Sequence, residues 1–127
     1  MNKAKYIVLA MEDYKRACVA AVVAAISSRK NVSSVYDFGK GRYLMYSTNI
    51  NGRSISVYDY SRGGYIQGSL DQVYDYVSGS YISLHVNGNT FNGYDYERGF
   101  YFNGQISNGG ISFFDYEMAL YYNYSFS

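Results

Sequence analysis

Apolar positions follow two different patterns along the chain. Residues 11–28 are apolar or small at most positions, whereas beyond residue 33 apolar and polar residues alternate with a period of two. In this second part, turn residues recur about every eight to twelve positions, which is typical of short antiparallel strands. The pattern therefore predicts one N-terminal helix followed by a long run of strands.

The predicted helix covers residues 11–28, which contain neither Gly nor Pro. Its bulky side chains share one stripe on helical spacing, namely Met11, Tyr14, Cys18, Val22 and Ile26. Most of the alanines lie on the other side. The segment upstream, residues 3–10, fits either a continuation of the helix or a short strand. A helix this apolar is typical of one that is buried against a sheet.

A four-residue phrase with a central aromatic-Asp pair repeats five times beyond residue 33. The copies are Val35-Tyr36-Asp37-Phe38, Val57-Tyr58-Asp59-Tyr60, Val73-Tyr74-Asp75-Tyr76, Gly93-Tyr94-Asp95-Tyr96 and Phe113-Phe114-Asp115-Tyr116. Successive copies start 22, 16, 20 and 20 residues apart. Each repeat therefore has the length of one hairpin. We expect about ten strands in an antiparallel meander of five repeated hairpins over residues 33–127.

A glycine behind four of the five phrases predicts the turn, and the turn sets the register. Gly63 fits the left-handed position of a three-residue loop with a bulge. The same place is taken in the other copies by Gly41, Gly79, Gly99 and Ala119. This register pairs Asp59 with Tyr65 and puts Tyr58 and Tyr60 on the opposite face of the sheet.

The two faces of the predicted sheet differ in composition. The face with the aromatic residues of the phrase is more apolar, so we predict that it forms the core beside the helix. The outer face would carry five cross-strand pairs: Asp37–Tyr43, Asp59–Tyr65, Asp75–Tyr81, Asp95–Tyr101 and Asp115–Tyr121. It would also carry an apolar band made of Ile55, Val57, Val73, Phe91, Ile111 and Phe113. This band would be either exposed as a contact surface or covered by a closed or layered sheet or by the N-terminal segment.

One helix cannot cover ten flat strands. We therefore expect a mostly β fold in which the sheet curls into a barrel around the helix. A two-layer β-sandwich with the helix at one end is the alternative. With 127 residues the chain suits a single domain, residues 1–127.

Composition narrows the classes of function. Aromatic residues make up 20%, with 18 Tyr and no Trp or Pro. Residues 1–30 carry six basic and two acidic side chains, and the rest of the chain carries five basic and eight acidic ones. Basic residues are therefore not dense enough to predict a nucleic-acid-binding patch. The apolar run in the helix is too short to span a bilayer. Cys18 is the only cysteine, which predicts a buried thiol and a cytoplasmic location, with secretion left open.

Each Asp of the phrase has two interpretations. Structurally, a carboxylate just before a tight turn accepts hydrogen bonds from turn amides or from the Tyr across the strand. Functionally, a row of Asp and Tyr resembles in composition the surfaces that bind carbohydrate, and a repeat would offer several such sites to a multivalent ligand. Further polar side chains expected on the same face are Gln67, Ser83, Asn103 and Asn123.

The sequence offers few residues for catalysis. His85 is the only histidine, and the register places it opposite Asp71 with Ser83 nearby, as a hydrolase base would need. One His and one Cys on different elements supply no metal site, and no phosphate loop occurs. We therefore expect no metal and no cofactor.

Three hypotheses follow. The first is a non-enzymatic β-repeat protein that binds a macromolecular partner, most simply a protein, or itself, through the outer Asp/Tyr face. The second is carbohydrate binding by the repeated Asp–Tyr pairs, and the third is a small hydrolase based on His85.

Overall fold

The structure of the protein is a computed structural model, which describes the backbone of residues 3–127 and the side chains of residues 13–127. Over these residues it contains one helix and ten strands. Their bounds are α1 Lys3–Ser28, β1 Ser34–Asp37, β2 Arg42–Asn51, β3 Ser54–Asp59, β4 Gly64–Ser69, β5 Gln72–Asp75, β6 Ser80–Asn87, β7 Thr90–Asp95, β8 Phe100–Ser107, β9 Gly110–Asp115 and β10 Leu120–Phe126.

The ten strands form a closed antiparallel barrel. Each strand pairs with its neighbours in sequence, and β1 pairs with β10 to complete the ring, for example Val35 with Phe126. Closure leaves no free edge among the ten described strands. The prediction of a curled, barrel-like meander is thereby confirmed, and the sandwich alternative is wrong.

Residues 15–25 of helix α1 lie inside the barrel. Every residue from Ala17 to Ala25 is at most 5% exposed, on all sides of the helix. Eight strands already enclose enough space for packed side chains, so ten leave room for a slender helix, and the five alanines of this stretch keep it slender. The helix begins at Lys3, so residues 3–10 continue the helix. Met11 of the predicted bulky stripe lies outside the residues whose side chains are described.

The register of the hairpins differs from the predicted one by one residue. Asp59 pairs with Gly64 and Tyr58 with Tyr65, whereas the sequence suggested Asp59 with Tyr65. The glycine was placed correctly, since Gly63 has φ 70° and its counterparts Gly41, Gly79, Gly99 and Ala119 also have positive φ. The loop, however, contains four residues, closed by the Gly63 amide bonding the Asp59 carbonyl at 2.8 Å.

The extra loop residue reverses the first strand of every hairpin, because side chains alternate between the faces. Val57 and Asp59 point into the barrel and Tyr58 points out. The second strands face as predicted, with Ile66 inside and Tyr65 outside. The supposed apolar band is consequently buried in the core, as shown by the burial of Ile55, Val57, Val73, Phe91, Ile111 and Phe113.

Aliphatic and aromatic residues fill different parts of the interior. Next to β7, β8 and β9 the core contains Phe91, Phe102 and Phe113, and the last two stack with ring centroids 5.0 Å apart. Gly93 and Gly104 make room for them, since a Cβ at either would lie within 2.5 Å of a phenylalanine ring. The wall is therefore thin at these two strands.

The turns between hairpins lie at the other end of the barrel. Four two-residue turns connect the units at residues 52–53, 70–71, 88–89 and 108–109. The barrel thus has one end with the five Asp-containing turns and one end with the four short turns. We call them the aspartate end and the short-turn end.

Candidate functional site

The aromatic residues of the repeat form five clusters on the outside of the barrel at its aspartate end. In each cluster a central ring contacts two others edge to face, with centroids 4.7 to 5.0 Å apart. The clusters are Tyr36, Phe38 and Tyr43; Tyr58, Tyr60 and Tyr65; Tyr74, Tyr76 and Tyr81; Tyr94, Tyr96 and Tyr101; and Phe114, Tyr116 and Tyr121. Together we call these fifteen rings the aromatic belt.

The flanking rings of the belt are open to solvent. The two flanking rings of every cluster are between 45% and 69% exposed. Neighbouring clusters meet where the backbones of Tyr65 and Tyr76 are hydrogen-bonded at 2.9 Å, and the pairs Tyr81 and Tyr96, and Tyr101 and Tyr116, meet in the same way. The belt therefore continues from one hairpin to the next along much of the wall.

The outside of the barrel carries no formal charge on its described strands. We call the outward-facing positions of β1 to β10 the outer wall. Not one of these positions holds Asp, Glu, Lys or Arg, and His85 is the only imidazole among them. Below the belt the wall carries hydroxyl and amide side chains except at Met45 and His85, and among them are Ser47, Asn49, Ser56, Gln67, Ser69, Gln72, Ser83, Asn92, Asn103, Gln105, Ser112, Asn123 and Ser125.

An open depression of about 590 Å³ lies on this wall across β7 to β9, beside Tyr121. Its polar lining consists of Thr90, Asn92, Asn103, Gln105 and Ser112. We call this lining, together with the Tyr121 ring, the amide depression. Asn92 is the cross-strand partner of Asn103, and Gln105 lies between Thr90 and Ser112. The depression lies where Gly104 thins the wall.

One polar group of the depression is held in place by the belt. The Asn103 amide donates a hydrogen bond to the Tyr116 hydroxyl at 3.0 Å. This bond links the depression to the aromatic cluster above it. A ligand in the depression would therefore meet amide groups on its floor and a tyrosine ring at its side.

The aspartates of the repeat do not belong to this outer surface, so the predicted Asp–Tyr pairs do not form. All five carboxylates point into the barrel, where Asp59 and Asp75 are fully buried. Their oxygens accept hydrogen bonds from the amides of the following turn, as Asp59 does from Ser61 at 2.9 Å and Arg62 at 3.2 Å. The same turn contacts recur at Asp37, Asp75, Asp95 and Asp115. The structural interpretation of these aspartates is thus confirmed for the turn amides.

The predicted tyrosine partners, in contrast, do lie on the outer surface. They are Tyr43, Tyr65, Tyr81, Tyr101 and Tyr121, and each pairs with the central ring of its cluster. Half of the predicted site is therefore outside and half inside. The central rings and the depression were missed because the predicted register placed them wrongly, although the uncharged Ser, Asn and Gln positions of the second strands were visible in the sequence.

Inside the barrel the aspartates bind cations. Arg62 bridges Asp59 and Asp75 at 2.7 and 2.8 Å. On the helix, Lys15 bonds Asp95 at 2.9 Å, and Arg16 bonds Asp115 at 2.7 Å. The repeat thus supplies the groups that fix α1 in the barrel.

Arg16 has several partners at the aspartate end. Its guanidinium also bonds Asp13 at 2.8 Å and lies 3.7 Å from the centre of the Tyr122 ring. Burial by itself lowers the pKa of Arg16, but Tyr124 and the two carboxylates outweigh it and raise that pKa above its ordinary value. Arg16 therefore stays charged in the folded protein.

Cys18 and Tyr46 are buried beside the Arg62 cluster. Burial, followed by the nearby carboxylate of Asp59, raises the pKa of the Cys18 thiol, and burial raises the pKa of the Tyr46 hydroxyl as well. A protonated thiol without solvent access is a poor nucleophile, so Cys18 is part of the core. The cytoplasmic location remains a prediction.

The His85 and Asp71 pair forms as predicted, with Nδ1 and Oδ1 3.3 Å apart. Both side chains are more than half exposed, and Asp71 also accepts a bond from Arg53 at 2.9 Å. Ser83 lies two residues before His85 on the outer wall, and these two described side chains share no hydrogen bond. The arrangement is that of an exposed polar contact in which Asp71 is shared between His85 and Arg53.

Comparisons with known proteins assign the chain to no family. No family model, no curated protein and no solved structure matches it. Within residues 13–127 no group of three or more potential metal ligands occurs. In the described part of the chain, no helix has the length and apolarity to cross a membrane.

Proposed function

We propose that this is a non-enzymatic binding protein that takes a neutral carbohydrate on its outer wall. The observation that carries the proposal is the amide depression beside Tyr121 on a wall without formal charges on its described strands. The surface of a typical small domain has roughly a quarter to a third charged residues. A wall with none of them on its strands favours an uncharged ligand.

The chemistry of a sugar fits both components of the site. Its C–H faces stack on aromatic rings, and its hydroxyls donate to and accept from amides and hydroxyls. Asn92 and Gln105 each offer a carbonyl oxygen and an NH₂ group to the depression, and neither side chain forms a hydrogen bond with another described residue. Binding sites of small ligands typically combine an apolar wall with a few convergent polar groups.

The repeat makes the proposal stronger for polymeric ligands. Exposed Tyr rings recur in all five hairpins, with hydroxyl or amide side chains next to them on the wall. Several weak sites on one molecule gain avidity when the ligand also repeats. A linear or branched neutral polysaccharide is therefore a better ligand than a single monosaccharide.

A protein partner is the second candidate. Tyr, Ser and Asn also dominate antibody binding loops, and Phe38 and Met45 add exposed apolar side chains on and beside the belt. The apolar band that suggested self-association lies in the core, so this candidate depends on the belt alone. Light scattering over a range of concentrations tests self-association.

Calorimetric titration with neutral oligosaccharides from a glycan-array screen tests the first proposal. We expect Tyr121→Ser and Gln105→Ala to weaken binding of a short oligosaccharide at least tenfold. Tyr65→Ser is the matched control, because Tyr65 has the same place in a different hairpin. It should weaken only longer chains that reach a second site.

Two outcomes would exclude carbohydrate binding at this wall. One is the absence of binding by any neutral glycan on the array. The other is a glycan whose affinity is unchanged by both Tyr121→Ser and Gln105→Ala. Circular dichroism of each variant shows whether the barrel remains folded.

A further inference from the structure

At the short-turn end the interior of the barrel is open. A cavity of about 550 Å³ lies there between the end of α1 and the wall. Its apolar lining, which we call the basal mouth, consists of Ile26, Ile50, Leu70 and Val86. These side chains pack on the core and are half-buried. The volume is in the range of about 300 to 1,000 Å³ that small-molecule sites occupy.

The segment that follows the helix forms one border of the cavity, since Arg29, Lys30 and Asn31 line it. The helix ends at Ser28, and Arg29 turns the chain with φ 55°. The following segment is fastened to β2, where Val32 donates to the Thr48 hydroxyl at 2.7 Å and accepts from it at 3.1 Å. Ser27 fixes the helix end to the Gly88 carbonyl at 3.1 Å.

Two cations lie at this opening. Arg29 and Lys30 line the cavity and are exposed. In residues 13–127 they are the only basic side chains that form neither an ion pair nor a hydrogen bond; the others have partners. A helix C-terminus attracts cations, which accounts for their position but not for the apolar cavity beside them.

The surrounding side chains leave this cationic pair uncompensated. Asp71, next to Leu70, is the one carboxylate side chain on the described turns of this end, and it is bound to Arg53 at 2.9 Å and to His85 at 3.3 Å. The other carboxylate side chains of residues 13–127 lie at the aspartate end. An anionic group near Arg29 and Lys30 would therefore meet attraction without a competing acidic side chain.

We propose that the basal mouth binds a free fatty acid. Its acyl chain lies against Ile26, Ile50, Leu70 and Val86, and its carboxylate lies between the side chains of Arg29 and Lys30. Burial of the chain supplies most of the affinity, and the two cations select an anion over a neutral amphiphile. The proposal is independent of the carbohydrate site, which lies on the outside of the wall.

The test is a titration of methyl-labelled protein with decanoate, followed by NMR below the micelle concentration of decanoate. We expect the methyl signals of Ile50, Leu70 and Val86 to shift. Decan-1-ol, which has the same chain without the charge, should bind at least tenfold more weakly, and acetate should cause no shift. Absence of shifts at these methyls with decanoate would overturn the proposal.

Variants separate the charge from the cavity. Arg29→Asn with Lys30→Gln should weaken decanoate at least tenfold and leave decan-1-ol unchanged, and Asn tolerates the positive φ of position 29. Arg53→Gln is the matched control, because Arg53 lies at the same end but is paired with Asp71. An equal loss with Arg53→Gln would show only a general effect of charge and contradict the site. Sedimentation with anionic phospholipid vesicles but no decanoate binding would likewise overturn it in favour of a lipid surface.

Discussion

The two sides of the barrel wall at the aspartate end have opposite compositions. On the inside are five carboxylates with Arg62, Lys15 and Arg16, and on the outside are fifteen aromatic rings. Charged residues are almost never fully buried unless they are paired. Here the repeat buries the charge and exposes the ring.

The two sides differ in how many of their polar groups already have partners within the fold. Each inner carboxylate bonds turn amides, and four of the five also bond a cation. On the outer wall the side chains of Asn92 and Gln105 have no partner among the described residues. The inner side is therefore explained by folding, and the outer side retains groups for a ligand.

The first prediction concerns Arg62, one of the three cations on the inner side of the wall. Arg62→Met leaves the carboxylates of Asp59 and Asp75 without a counter-charge, and both are fully buried. Loss of one partner of a buried ion pair costs about 3 to 5 kcal/mol. We expect the free energy of unfolding, measured by urea denaturation, to fall by that amount.

The control for this variant is Arg53→Met. Arg53 and Asp71 form an exposed pair at 2.9 Å, and such pairs contribute about 0 to 1 kcal/mol. Equal losses in the two variants would mean that the inner carboxylates are not held by Arg62.

Much of this architecture was readable from the sequence. The alternation of apolar residues, the repeat and the recurrence of turn residues predicted ten strands in five hairpins. The curled sheet was predicted because one helix cannot cover ten flat strands. Gly63 and its counterparts were correctly assigned to positive φ. These features depend on local backbone geometry, which the residue types report directly.

The orientation of the first strands was not readable in the same way. A three-residue and a four-residue loop both place Gly63 in the left-handed region, but they differ by one residue in register. The four-residue loop leaves Asp59 at the last strand position, where its carboxylate accepts hydrogen bonds from the amides of Ser61 and Arg62. Arg62 then adds an ion pair inside a barrel whose closure the sequence does not encode locally.

The second prediction concerns the buried acids of the core at high pH. Burial raises the pKa values of Cys18, Tyr46 and Tyr124 in the folded protein. The stability that depends on their neutral forms is complete below the unfolded pKa values, about 8.5 for Cys and about 10 for Tyr, and is lost as pH rises above them. Between pH 8.5 and pH 10, ionisation of Cys18 in the unfolded chain should lower the free energy of unfolding by about 2 kcal/mol, at about 1.36 kcal/mol per pH unit.

Urea denaturation between pH 7 and pH 11 measures this loss. Cys18→Ala should flatten the decline between pH 8.5 and pH 10, and Tyr46→Phe should flatten it above pH 10. If stability fell with pH as steeply in both variants as in the unmodified protein, Cys18 and Tyr46 would not be buried in their neutral forms.

The smallest expected effect concerns the turns that decide which side faces inward. Gly63 has φ 70°, and a Cβ added there would have no heavy atom within 4 Å, whereas Ala119 occupies the equivalent turn position with φ 56°. Gly63→Ala should therefore destabilise by about 1 kcal/mol through backbone strain alone, and Ala119→Gly should stabilise by a similar amount. Ser61→Ala, in the same turn as Gly63, is the control and should be nearly neutral.

Opposite signs in the two exchanges are the decisive feature of this prediction. Both variants change one methyl group at the same place of the repeat, so differences in packing are small and the backbone conformation is compared directly. Chemical denaturation gives the two free energies. If Gly63→Ala and Ala119→Gly changed stability in the same direction, the shared four-residue loop would be wrong for one of the hairpins. The outward position of its aromatic cluster would then be wrong too, because the loop length determines which face each ring occupies.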